Sequence, residues 1–356
     1  MSKGFRTALY AVLLSLTFLI SCQVVKLESF SSVKPTNPAS IELLPESKVQ
    51  EITLVGPASE SRAEISGMAW CGDNLVLLPQ YPSIFGEDDS ANVFNIPQEN
   101  LDDYFSGEVP EGLAPELIPF DTGGLEQTLT GFEGYEGIVF NGSEVYVTIE
   151  ARQWDGMMGY LVKGEVVGDC DGFILDPKSV IPLEPQVDIS NMSHEALVIY
   201  QNQLYVIFEA NGNNVNPNPV AHVFDFSLES HTTVDLPNIE YRLPAAAMPD
   251  ETGAFWAVNY FFPGEASDLE PAVDQIGLDY GIGFSHYDAN PVERLVKFRI
   301  DDNSVQLVDQ PPIYLELMDG GSRNWEGVVQ YGHGFLLVTD KFPTTILAYV
   351  EAEGQK

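Results

Sequence analysis

The sequence predicts an all-β fold, a β-propeller of five blades, on three observations. Five segments repeat one pattern: an apolar run, a turn with Gly, Asn or Asp, and a second apolar run. Val, Ile, Tyr and Phe dominate these runs and turn residues interrupt them about every seven positions, which suits hairpins rather than helices. The 356 residues also include 30 Gly and 24 Pro, the composition of a turn-rich chain.

The repeats align without gaps over their cores. The first runs from Ile65-Ser-Gly-Met-Ala-Trp to Gln80, and the second from Tyr135-Glu-Gly-Ile-Val-Phe to Glu150. The third runs from His194-Glu-Ala-Leu-Val-Ile to Glu209. The fourth, Pro244-Ala-Ala-Ala-Met-Pro to Asn259, is weaker, and the fifth runs from Trp325-Glu-Gly-Val-Val-Gln to Asp340. Their strands are apolar at nearly every position, so both faces are covered. More alternating strands follow, such as His222-Val-Phe-Asp-Phe-Ser and Arg294-Leu-Val-Lys-Phe-Arg-Ile. Two covered strands and then two half-exposed ones describe a blade from axis to rim.

Blades therefore start near residues 64, 134, 193, 243 and 324. The last has a third strand, Thr345-Ile-Leu-Ala-Tyr-Val, and no fourth. Val49-Gln-Glu-Ile-Thr-Leu-Val is expected to supply it from the N-terminal side, which closes the ring and removes an open edge. A sixth blade would need a hairpin within residues 261–290. That segment reads instead as a long insertion over one face.

Ahead of the propeller lies an address. Lys3 and Arg6 precede an apolar run from Ala8 to Ile20, too short to span a bilayer and suited to a signal sequence. It ends in Leu19-Ile20-Ser21-Cys22, which resembles the lipobox of bacterial lipoproteins. This implies a signal peptide over 1–21, lipidation at Cys22, a tether over 22–46 and a single propeller domain over 47–351. Gln23 after the cysteine favours the Gram-negative outer membrane by the same resemblance. The lipid would hold the protein on the membrane with nothing spanning it.

The chain carries 53 acidic against 16 basic residues, a formal charge of −37 at pH 7. That excludes nucleic acid as a partner, since neutralising phosphates needs a basic surface. Cys71 and Cys170 fall in turns expected on one face, and two free thiols are the expected state. The five His show no metal-ligand spacing, and Trp154, in a loop after Glu150, is the better candidate for stacking on a ligand.

The repeat register brings acids together. Glu136, Glu195 and Glu326 begin innermost strands, and Glu150, Glu209 and Asp340 follow each at the same offset. Ser66 with Gln80 and Ala245 with Asn259 occupy these places in the other two repeats. Each hairpin folds back midway, so three carboxylate pairs and two amides would surround one channel mouth. Such crowding is costly unless protons, arginines or a cation offset it. All-oxygen ligands suit a hard divalent cation, Ca²⁺ above all, with Glu136, Glu195 and Glu326 as ligands and Glu150, Glu209 or Asp340 as ligand or general base. Arg62, Arg152, Arg242, Arg323 and Lys341 sit in connections on that same face, where they could grip a small anionic ligand.

The recurring Glu-Gly-(Ile/Val)-Val, a turn, then Leu/Val-Tyr/Leu-Val and an acid resembles the phytase-like propeller family, also described as having esterase-like activity of phytase. It is also similar to SdiA-regulated proteins and, more remotely, to calcium-dependent lactonase propellers. Tyr135 to Glu150, His194 to Glu209 and Asn324 to Lys341 carry the resemblance. It implies an extracytoplasmic, metal-dependent phosphoesterase or lactonase. Ala245, where Glu is expected, departs from the pattern. The alternatives left open are a surface propeller that binds a ligand without turnover, and one whose rim and 261–290 insertion contact an envelope protein.

Overall fold

The computed structural model describes residues 42–87, 90–108, 111–154, 156–318, 321–340 and 344–352. The expected signal peptide and Cys22 lie outside the described residues. The described chain is a five-bladed β-propeller. Blade 1 comprises Ile65–Cys71, Asn74–Pro79, Asn92–Pro97 and Glu116–Asp121, all paired antiparallel in chain order. Blade 2 comprises Phe132–Asn141, Glu144–Gln153, Gly156–Val167 and Gly172–Leu175. Blade 3 runs from His194–Tyr200 through Gln203–Phe208 and Val220–Phe224 to His231–Asp235.

Blade 4 comprises Ala254–Phe261, Val292–Ile300 and Ile313–Leu315 behind the weak inner segment that the fourth repeat suggested. Pro244 and Pro249 lack N–H groups, so Pro244 to Pro249 forms a single bridge, Ala246 with Ala257, instead of a regular strand. Ala247 N–H donates to Trp256 O at 2.8 Å and Val258 N–H to Ala245 O at 2.9 Å. Blade 5 comprises Trp325–Tyr331, Gly334–Thr339 and Leu347–Glu351, and Val49–Ile52 completes it by antiparallel pairing. The ring is therefore sealed by the N-terminal strand, as the sequence predicts.

Hydrophobic packing closes the same circle. Val93 and Phe120 of blade 1 pack with Val147 and Phe173 of blade 2, and Tyr146 and Leu161 of blade 2 with Val206 and Phe224 of blade 3. Ile207 and Val223 meet Phe255 and Phe298 of blade 4; Trp256 and Leu295 meet Leu337 and Val350 of blade 5; Leu336 and Leu347 return to Leu75 and Phe94 of blade 1. Each interface buries apolar faces of neighbouring blades, at roughly 25 cal/mol per Å².

Two sequence expectations change, at the tether and at the cysteines, and the reading of residues 261–290 as an insertion holds. Pairing begins before residue 47: Leu43–Leu44 pairs with Ile282–Gly283, and Glu46–Ser47 with Ile313–Leu315, so the end of the expected tether is part of the domain. Residues 261–290 hold no extra hairpin but short helical segments at Pro263–Glu265, Ala266–Leu269 and Gln275–Tyr280. Cys71 and Cys170 are joined in a disulfide, with Cα atoms 6.1 Å apart. The turns do share a face, and the propeller brings blades 1 and 2 close enough to bond, which chain separation alone could not reveal. Among the described residues no helix is long and apolar enough to cross a membrane.

Candidate functional site

The channel mouth is an acidic cavity of about 460 Å³, lined by Glu136, Glu150, Glu195, Glu326 and Asp340 with Gln80 and Arg242. Its geometry begins with a defect in the ladder. Pairing skips from Ile65 to Gly67, from His194 to Ala196 and from Trp325 to Gly327, and in blade 2 from Tyr135 to Ile138. The residues left out are Ser66, Glu195, Glu326 and Glu136 with Gly137. A bulge re-aims the side chain it carries, and here four blades carry one at the same place. Gly follows three of these bulged residues because the inner strands crowd there. A Cβ on Gly67 would stand 2.6 Å from Glu136 O, and one on Gly137 would overlap Glu195 O.

The carboxyls are held in different ways. Glu136 accepts a hydrogen bond from Gln80 Nε2 at 3.2 Å; burial first, then the charge of Glu150, hold its carboxyl well above the usual range. Glu150 is pushed up to about 8 by burial and by Glu209, and its Oε1 has no hydrogen-bond partner. Glu326 accepts from the Tyr260 hydroxyl at 2.9 Å and is also pushed up to about 8, by burial with Asp340 and Glu209 adding to it and Arg242 opposing. Burial and the neighbouring Glu209 raise Glu195 in the same direction. Protons are thus one of the offsets that crowded acids require.

Arg242 is the other. It is 4% exposed, and its Nε donates to Glu209 Oε2 at 2.5 Å, while Nη1 reaches Glu265 at 3.2 Å and Nη2 lies 3.8 Å from Glu195. The Tyr260 ring lies under it at 5.4 Å. Glu209 also accepts the Ser193 N–H at 3.0 Å, so both its oxygens are engaged behind the cavity wall. Glu265 was not foreseen. It arrives from the insertion with Phe262, and only the fold shows that the insertion reaches the mouth.

The remaining predicted basic residues are elsewhere. Arg62 pairs with Glu60 on the surface, and Arg152 forms a fork on Glu133 at 2.7 and 3.1 Å. Arg323 is buried against Glu293, which also accepts from Trp325 Nε1. Lys341 lies outside the described residues. Among the described residues the proposed grip on an anion is therefore reduced to Arg242, which already faces three carboxylates. Asn259 donates to the backbone oxygens of Glu240 and Arg242 and accepts from Arg294, and Ala245 is buried. Blade 4 thus gives no acid of its own inner hairpin to the mouth. Among the described residues no three His, Cys, Asp or Glu side chains are placed to hold a metal ion.

No protein-family model matches this sequence, and no curated protein does. Similar folds are found among solved structures. One is a glycoside hydrolase of the GH130 mannoside phosphorylase family that targets β-1,2 mannosidic linkages in Candida mannan, at 9% identity and TM-score 0.48, covering 89% of this chain and 98% of that one. Another is a glycosyl hydrolase from Bacteroides ovatus, at 9% identity and TM-score 0.46, covering 83% and 86%. A third is a putative glycoside hydrolase from Parabacteroides distasonis, at 11% identity and TM-score 0.44, covering 90% and 95%. At these values the likeness concerns the fold alone.

These findings correct the family resemblance. The similar structures are glycoside-active propellers, not phytase-like, SdiA-regulated or lactonase ones. The Glu-Gly-(Ile/Val)-Val motif has a local cause: a bulge that aims the acid, a Gly where strands crowd, and β-branched residues for the covered strand. Any propeller with a tight acidic channel can produce it. The phosphoesterase reading falls with the resemblance.

Proposed function

We propose that this protein is a carbohydrate-active enzyme that cleaves or transfers a glycosidic bond by acid–base catalysis at the channel mouth. The observation that carries this is the coexistence, in one cavity, of carboxyls held protonated at neutral pH and acids beside them. Glu150 and Glu326, at about 8, are proton donors matched to neutral conditions. Asp340 lies next to Glu326 and is the candidate carboxylate partner. Glycosidic chemistry needs such a pair, one acid for the leaving oxygen and one base or nucleophile. The lining also selects against anions, since its one buried arginine is already committed. A neutral substrate rich in hydroxyls fits acceptors of this kind. The glycoside-active structures of similar fold work on the same substrate class, but the reading rests on the cavity.

The test is turnover of a panel of aryl glycosides and oligosaccharides, with and without inorganic phosphate as acceptor. Glu150→Gln and Glu326→Gln are expected to lower kcat by about 10²–10⁴-fold for whichever is the acid. Failure of the wild type to turn over or bind any saccharide would sink the reading.

A second reading, a hard divalent cation such as Ca²⁺ in the same mouth, is favoured by the unpartnered Oε1 of Glu150. It requires that chelation lower the melting temperature, and an unchanged melting temperature would end it. Anchorage to the outer membrane through Cys22 rests on the N-terminal sequence. The Cys71–Cys170 disulfide supports an oxidising compartment, and incorporation of labelled fatty acid in the wild type but not in Cys22→Ser would test it.

A further inference from the structure

The histidines that show no motif in the sequence meet on one face of blade 3. His222 on Val220–Phe224 and His231 on His231–Asp235 are diagonal neighbours across an antiparallel pair, where Phe224 is opposite His231 and Thr233 opposite His222. Their rings stack with centroids 4.9 Å apart, and His222 Nδ1 lies 2.7 Å from His231 Nε2. Phe224 packs flat on the His231 ring at 4.4 Å and fixes its plane. A third ring, His194, stands 5.0 Å from His222; it is fully buried, and neither of its nitrogens has a hydrogen-bond partner.

We propose that His222 and His231 form a binding site for a divalent transition-metal ion of the zinc or copper class, with water completing the coordination. Imidazole is the ligand type these ions prefer. Zinc–nitrogen bonds of about 2.0–2.1 Å in tetrahedral geometry place two ligand nitrogens a little over 3 Å apart, so only a small opening of the present pair is needed. His231 is exposed, which gives the ion an entry path. Imidazole ligates through an unprotonated nitrogen, so uptake of the ion competes with protons. The site does not depend on the function proposed for the mouth.

Titrating the purified protein with zinc chloride, by calorimetry and by thermal melting, tests this. The wild type is expected to take up one zinc ion, with a melting temperature that rises with zinc and falls back on chelation. His222→Gln and His231→Gln are each expected to abolish this binding, while His333→Gln, at an exposed histidine on blade 5, keeps it. Circular dichroism confirms that the variants are folded. The proposal is overturned if the wild type takes up no zinc, or if zinc binding survives loss of both His222 and His231.

Discussion

The two ends of the central channel are built by the same inner strands and differ in nearly every property. At the mouth stand Ser66, Glu136, Glu195 and Glu326. Two residues further along the same strands stand Met68, Ile138, Leu197 and Val328, which line a small apolar space of about 100 Å³ at the other end. A regular strand would send residues two apart to the same face. The bulge at each mouth residue releases the acid from that register, so one strand carries a polar group and an apolar plug without a change of repeat length. The acids are thus gathered at one end and the apolar side chains at the other.

Filling the space beside Gly137 attacks the shared strands directly. Gly137→Val must displace the backbone at Glu195 O. It is expected to cost at least about 4 kcal/mol in urea unfolding, or to prevent folding. Both ends should then fail together; survival with only a modest loss would show that the strands are less crowded than described.

Arg242→Met separates the ends. It leaves Glu209, Glu195 and Glu265 without their cation, at a cost of about 3–5 kcal/mol near pH 8. The loss should shrink at pH 5, where Glu195 and Glu265, both raised by burial, take up protons instead. A loss independent of pH would mean that packing over Tyr260, not charge, is its main role.

Leu197→Ala is the counterpart at the plugged end. Leu197 is 5% exposed, and its truncation should cost about 2–3 kcal/mol at every pH. Saccharide turnover should keep its pH profile.

The acids of the mouth contribute a pH dependence of their own. Glu150 and Glu326 bind protons more tightly folded, at about 8, than in the unfolded chain, near 4.5. Below the lower value both states are protonated and the favourable contribution is complete. As pH rises, the unfolded chain releases protons that the folded one retains, so stability falls until about pH 8. The melting temperature should therefore decline from pH 5 to 8, and Glu150→Gln should flatten that decline.

The smallest effect is expected at Trp154, which is 94% exposed on the hairpin beyond Glu150. Trp154→Ala should change stability by no more than about 0.5 kcal/mol. Weaker binding of longer saccharides, with short ones unaffected, would extend the mouth outward; equal binding of both would confine it to the cavity.

What could be read in advance follows from which interactions are periodic. The five hairpins, the N-terminal closure and the shared register of Glu136, Glu195 and Glu326 are repeats along the chain, and the fold reproduces them. The bulges left no mark except the Gly after the acid, which also had a packing explanation. Of the basic residues, sequence position could not tell Arg242, buried among carboxylates, from Arg323, which serves Glu293. Glu265 and the pair His222–His231 depend on an insertion and on cross-strand diagonals, neither of which repeats. The disulfide depends on how blades 1 and 2 are set against each other, a distance in space and not in sequence.

The closing strand has a consequence for how the protein is made. Ser47 Oγ bonds to Glu351 O across 304 positions, and Val49 pairs with Val350 in the same sheet. A strand synthesised near the start of the domain must wait for nearly the last. Until then the edge of blade 5 and the first blade's apolar flank stay open to other chains, which favours aggregation over assembly. Ring closure is therefore a late, long-range step. A nascent chain stalled before residue 345 should be a client for chaperones, while the finished one should not.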